Sequence, residues 1–130
     1  MTAKMKGSCL CGSIQYEYKN PFSFSLCHCD MCRQHTGSAF GAFIGINAED
    51  FKFTKGKEKF YKSSDWAHRA FCENCGSTLR YIFDKAKDKV FVAAGTVYGD
   101  PGIRPKKHIF IRDKSCWFEI TDDIAQFEEI

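Results

Sequence analysis

The chain has 130 residues, 44% of them hydrophobic, with 13 Phe, 5 Tyr and 2 Trp, which is enough apolar material for a single domain over residues 1–130. Nineteen Lys and Arg against 16 Asp and Glu leave a formal charge of +3 with the signs interleaved, which argues against a nucleic-acid partner. Nowhere are there the ~20 consecutive apolar residues of a membrane span, and residues 1–8 lack the apolar core of a signal peptide, so the expectation is a soluble cytoplasmic protein with no membrane partner.

Phe, Tyr, Ile, Val and Thr recur in short runs broken by Gly, Asn and Asp, which predicts a mainly β fold. Residues 13–18 alternate, with Ile14, Tyr16 and Tyr18 on one face and Gln15 and Glu17 on the other, as in a half-buried strand. Asn20 and Pro21 end it, and residues 24–26 lead extended into a cysteine cluster with one helical turn over 30–34. Residues 39–46 are apolar and interrupted by Gly41 and Gly45, which predicts a buried strand with close backbone approaches at both glycines. Further strands are predicted over 51–53, 58–61, 78–83, 90–94 and 107–111, a spacing suited to an antiparallel meander or two packed sheets. Arg104-Pro105-Lys106-Lys107-His108 reads as a solvated basic loop. No linker, repeat or low-complexity segment marks a domain boundary.

Seven of the eight cysteines fall into three groups: Cys9-Leu10-Cys11, Cys27-His28-Cys29-Asp30-Met31-Cys32 and Cys72-Glu73-Asn74-Cys75. In a reducing compartment such clusters bind metal, with zinc the leading candidate and iron the alternative. Cys11 and Cys75 are each followed by Gly-Ser, whereas Cys32 is followed by Arg33-Gln34. A glycine after a ligand pair permits positive φ and turns amides towards the sulfurs. The matching tails therefore pair Cys9 and Cys11 with Cys72 and Cys75 on one structural ion. The 60 residues between Cys11 and Cys72 make that ion a clip across a long loop. The spacing also accommodates a zinc ribbon in which Cys72 and Cys75 share an ion with two members of the central cluster. Cys116, beside Trp117, reads as a small buried hydrophobe.

Under the first pairing, Cys27, Cys29 and Cys32 form a three-thiolate site with an open fourth position, the pattern of catalytic zinc. A thiol entering that position would become a thiolate nucleophile at neutral pH. Closure by a histidine is the competing arrangement. His28 is nearest but is flanked by ligands, so its ring is expected to point away; His35, His68 and His108 are the others. Arg33 adjoins the open site as a candidate partner for an anionic substrate group, and Phe40 and Phe43 suit either the pocket wall or the core.

The segments Gly7-Ser8-Cys9-Leu10-Cys11-Gly12-Ser13, Cys27-His28-Cys29-Asp30-Met31-Cys32-Arg33, Gly37-Ser38-Ala39-Phe40, Phe71-Cys72-Glu73-Asn74-Cys75-Gly76-Ser77, Ala94-Gly95-Thr96 and His108-Ile109-Phe110-Ile111, followed by Trp117, occur in this order. In them the chain resembles the glutathione-dependent formaldehyde-activating (GFA) family, also called centromere-protein-V-like. The resemblance implies an Mss4-like β-tent of packed antiparallel sheets stapled by zinc. It implies a structural zinc on Cys9, Cys11, Cys72 and Cys75, a catalytic zinc on Cys27, Cys29 and Cys32, and glutathione as co-substrate. The implied activity is that of a carbon–sulfur lyase on a thiol/aldehyde adduct, joining glutathione to formaldehyde as S-hydroxymethylglutathione or using a related small-molecule thiol. The chain is shorter than the formaldehyde-activating enzyme itself, so the substrate does not transfer with the fold. The rival is a noncatalytic zinc module that binds protein or nucleic acid. The open three-cysteine site favours the enzyme, and the lack of a basic face counts against nucleic acid.

Overall fold

A computed structural model describes residues 4–130. The chain is mainly β, in two sheets. Strands β1 (Met5–Ser8), β2 (Gln15–Tyr18) and β5 (Phe51–Lys55) form the smaller, antiparallel sheet in the order β1-β2-β5. The remaining strands are β3 (Ser23–Cys27), β4 (Gly41–Asn47), β6 (Lys59–Lys62), β7 (Ala67–Phe71), β8 (Thr78–Phe83), β9 (Lys89–Ala93), β10 (Lys107–Ile109) and β11 (Ala125–Gln126). They build an eight-stranded sheet in the order β11-β10-β3-β4-β9-β8-β7-β6. One helix, α1 (Asp30–Thr36), connects β3 to β4.

The alternation of the second strand sets the packing. Ile14, Tyr16 and Tyr18 are each no more than 2% exposed, and the two tyrosines meet Phe24, Leu26, Ile44, Ile46 and Val92 of the larger sheet. Burying an apolar side chain of this size contributes about 1.5–3 kcal/mol, so this interface is the main source of cohesion between the sheets. Each phenol keeps a partner: Tyr16 Oη lies 2.6 Å from Thr96 Oγ1, and Tyr18 Oη donates to the Pro101 carbonyl at 2.9 Å. Burial pushes the Tyr18 hydroxyl up to about 12.

Several expectations are corrected here. The sheet is antiparallel except at one edge, where β10 runs parallel to both β3 and β11, because the chain crosses over from β9 through residues 94–106 instead of turning back. His108 belongs to that strand and is 1% exposed, so the basic stretch before it is a loop only up to Lys106. Arg104 in that loop is held by both oxygens of Asp100, at 2.8 and 2.9 Å. Cys116 is exposed, not buried; the half-buried place beside Phe40 is taken by Phe118 instead, with ring centroids 5.6 Å apart. No helix among the described residues is long and apolar enough to cross a membrane.

Candidate metal centres

Cys9 and Cys11 lie in the turn from β1 to β2, and Cys72 and Cys75 in the turn from β7 to β8. Each pair thus tips a hairpin, one from each sheet. The two turns are alike in detail. Gly12 and Gly76 have φ of +78° and +80°, and their amides donate to the carbonyls of Cys9 at 3.1 Å and Cys72 at 2.7 Å. The amides of Cys9 and Cys72 donate in turn to the carbonyls of Ile14 at 3.1 Å and Ser77 at 3.0 Å. The left-handed φ is open to glycine at little cost, which gives the repeated Cys-Gly-Ser tail its physical reason. The serines finish the knuckles: Ser13 Oγ lies 3.1 Å from Cys11 Sγ, Ser77 Oγ lies 3.2 Å from Cys75 Sγ, and Ser77 Oγ accepts from the Leu10 amide across the two turns at 2.8 Å.

The four sulfurs lie within 4.8 Å of one another. Cys9 and Cys11 are 3.7 Å apart and Cys11 and Cys72 are 3.9 Å apart. A tetrahedral ion with bonds of about 2.3 Å to sulfur sets its ligands about 3.8 Å apart, so this donor set fits zinc. Of the two pairings the spacing allows, the ribbon with the central cluster is the one the fold does not assemble. Hydrogen bonds, first from Ser13 and then from Asn74, hold the Cys11 thiol down to about 5.

The second group, Cys27, Cys29 and Cys32, also has its sulfurs within 4.8 Å of one another. It comes from one continuous segment: Cys27 ends β3, Cys29 caps α1 and Cys32 lies in the first turn. The cap is a sulfur, which accepts from the Cys32 amide at 3.3 Å. Gly41 is needed opposite, because a Cβ there would lie 3.1 Å from the Cys32 Cβ and closer still to the Phe43 ring. Hydrogen bonding with Cys27 and Cys32 pushes the Cys29 thiol down, whereas hydrogen bonding with Cys29 and Cys32 pushes Cys27 up. One thiolate is favoured at its neighbours' expense, so holding all three requires a cation, and the donor set again suits zinc. No histidine or carboxylate of the described residues joins this group.

The histidines are placed elsewhere. His28, fully buried, turns to His108, with Nε2 and Nδ1 2.8 Å apart, and His108 Nε2 faces the Asp122 carboxylate at 3.1 and 3.2 Å. Donation from His108 Nε2 to Asp122 leaves His108 Nδ1 to accept from His28 Nε2, so this network assigns both tautomers. The chain anchors the backbone between Cys27 and Cys29 to the C-terminal segment. His68 pairs with Asp84 at 2.8 Å on the far strands. His35 sits on α1 facing β7, its Nε2 buried without a partner, and burial followed by the Arg69 charge lowers it to about 4.

Arg33 is engaged locally: it donates to the His28 carbonyl at 3.3 Å and pairs with Asp30. Phe40 packs on His28, and Phe43 is 2% exposed against Tyr81, with Cys27 and Cys32 in the same apolar cluster. The guanidinium that reaches the cluster belongs to Arg69 of β7, whose Nη1 donates to Cys32 Sγ at 3.3 Å. Sequence reasoning missed it because β7 was not foreseen. No local signal could have found it, because its contact with Cys32 spans 37 residues.

Residues 4–113 match the family described as glutathione-dependent formaldehyde-activating enzyme. A Schizosaccharomyces pombe protein named an uncharacterized lyase is 31% identical over 94% of this chain and 89% of its own length. A Halomonas elongata protein, provisionally named a glutathione-dependent formaldehyde-activating enzyme, is 27% identical over 89% of this chain and 80% of its own. A crystal structure of a Rhodobacter sphaeroides protein superposes with a TM-score of 0.63 at 22% identity, covering 75% of this chain and 93% of that one, a likeness of fold. With its paired knuckles, its three-cysteine cluster and a match over most of its length, the chain belongs to the glutathione-dependent formaldehyde-activating family.

Proposed function

We propose that the chain is a carbon–sulfur lyase that joins a thiol to a small aldehyde, with glutathione and formaldehyde as the leading pair, and that Cys27, Cys29 and Cys32 are its centre. The observation that carries this reading is a group of three cysteine sulfurs to which no fourth side chain of the described residues is added. Cys9, Cys11, Cys72 and Cys75 hold a structural ion in the same account. A zinc ion held by Cys27, Cys29 and Cys32 would supply a Lewis acid that lowers the pKa of an incoming thiol.

The chain's own residues do the rest. Arg69, 5% exposed, places a fixed positive charge at Cys32 and so favours a further anionic sulfur beside the cluster. Phe43, Tyr81 and Phe91 close the inner side with apolar rings, centroids 4.9 and 4.7 Å apart, and keep water from it. In the reaction the thiol sulfur attacks the carbonyl carbon, a carbon–sulfur bond forms, and the carbonyl π pair moves to oxygen, which takes up the proton the thiol lost. The product is a hydroxymethyl thioether. Orientation and charge, more than a nucleophile of the protein's own, provide the rate in such a site.

Exchange spectroscopy by NMR on glutathione and formaldehyde tests it. Catalysed interconversion should be present with the zinc-loaded protein and absent in Cys29→Ser. Equal rates for both would refute the assignment of the centre.

A further inference from the structure

Beside the three-cysteine cluster lies a cleft of about 480 Å³, between α1 and strands β6 and β7, lined by Met31, Gln34, His35, Tyr61, Ser63 and Arg69 among others. Its buried cation has no carboxylate partner among the described residues. Arg80 is paired with Glu58 and Arg33 with Asp30, but Arg69 meets no carboxylate among the described residues. Its Nη1 donates to Cys32 Sγ, its plane lies over the Tyr81 ring at 5.4 Å, and its Nε is buried without a partner. His35 Nε2, on the facing helix, is equally buried and equally unpaired. Two orphaned polar nitrogens on opposite walls of one cleft are an expense the fold recovers when an acceptor enters.

Charge compensation at the cluster does not exhaust Arg69. Three thiolates around a divalent cation carry one net negative charge, which a guanidinium balances, yet that guanidinium has five N–H donors in a planar fork and gives one to Cys32. The donors that remain have the geometry for a carboxylate. We propose that this cleft is the substrate's anion subsite: it takes a carboxylate borne on the thiol, with Arg69 as the anchor and His35 as the second hydrogen-bonding group. The proposal rests on the thiol-lyase reading and narrows it to thiols that carry a carboxylate, glutathione among them, since one side chain lines the cleft and touches Cys32. Gln34, Tyr61 and Ser63 at the rim offer polar contacts to the rest of such a molecule.

The test is calorimetric titration of the zinc-loaded protein with a matched pair, 3-mercaptopropionate and its methyl ester. The acid should bind wild type at least about tenfold more tightly than the ester, the range of a charge-assisted hydrogen bond. In Arg69→Met the preference should shrink to within about twofold, and in His35→Leu it should shrink in part. Equal binding of acid and ester by wild type would overturn the anion subsite and leave the thiol reading standing. A preference that persists in Arg69→Met, or that disappears in wild type at high salt, would assign it to the overall positive charge and overturn it as well. Should Arg69→Met not fold, the wild-type pair and His35→Leu still decide. Binding of neither thiol would refute the lyase reading itself.

Discussion

The two cysteine groups use the same atoms on opposite kinds of chain. Cys9, Cys11, Cys72 and Cys75 come from two hairpin tips, one in each sheet, 60 residues apart in sequence. Cys27, Cys29 and Cys32 come from six consecutive residues at a strand-to-helix junction. An ion shared by the first group cross-links the sheets and closes a long loop, whereas one held by the second constrains little that β3 and α1 do not already fix. The surroundings differ in the same sense. Serine, asparagine and backbone donors crowd the first group, while the second has a buried cation and a cleft at its side. In the proposed reading, long-range ligation serves stability and local ligation leaves room for chemistry.

The sharpest way to break this contrast is to remove one sulfur from each group. Cys72→Ser is expected to cost on the order of 4–5 kcal/mol or more, the range for loss of a structural metal site, and to yield chain that melts far below wild type or aggregates. Cys29→Ser should melt within a few degrees of wild type while retaining one ion in place of two and losing activity by more than about 100-fold. Thermal melts and metal analysis of both variants check this, and equal loss of folding would erase the distinction.

A milder change sharpens it. Asp122→Ala removes the acceptor at the end of the chain that runs through His108 to His28, between two of the three cysteines. Supporting contacts of this kind change metal affinity about 10–100-fold, so chelator should strip one ion faster from this variant while the knuckle ion is released at the wild-type rate.

How much of this was legible in the sequence depended on what each residue's neighbours are. Ile14, Tyr16 and Tyr18 announced a strand because one face is core and the other water. Strand β7 was silent: Ala67, His68, Arg69 and Ala70 have weak β preference, and the segment is extended because β6 and β8 pair with it on both sides. Strand β1 likewise exists through β2, Met5 against Tyr18 and Gly7 against Tyr16. The knuckles could be matched from their Gly-Ser tails, since a positive φ leaves a mark on the local sequence. Arg69 could not, since its contact with Cys32 spans 37 residues and depends on the path of an unforeseen strand. The strand that carries His108 was legible over 107–111, but its role was not, because nothing local reveals that His28 and Asp122 converge on it.

The smallest expected effect concerns pH. In the folded chain His35 titrates at about 4, against 6.5 for a free imidazole, because it is buried beside Arg69. Between those values the unfolded chain takes up a proton that the folded one does not, so this contribution is whole above pH 6.5 and is lost as pH falls towards 4. His35→Leu should flatten the decline of stability across that window in denaturant titrations, with little change at pH 7.5. An unchanged slope would place His35 in water.

The division between a closed site and an open one is tested most directly by cobalt substitution followed by addition of glutathione. Two cobalt ions should bind per chain. Glutathione should alter the ligand-field bands of the ion at Cys27, Cys29 and Cys32, leave those of the four-cysteine ion unchanged, and have no effect on Cys29→Ser. A single ion, or two ions of which neither responds to the thiol, would contradict the account.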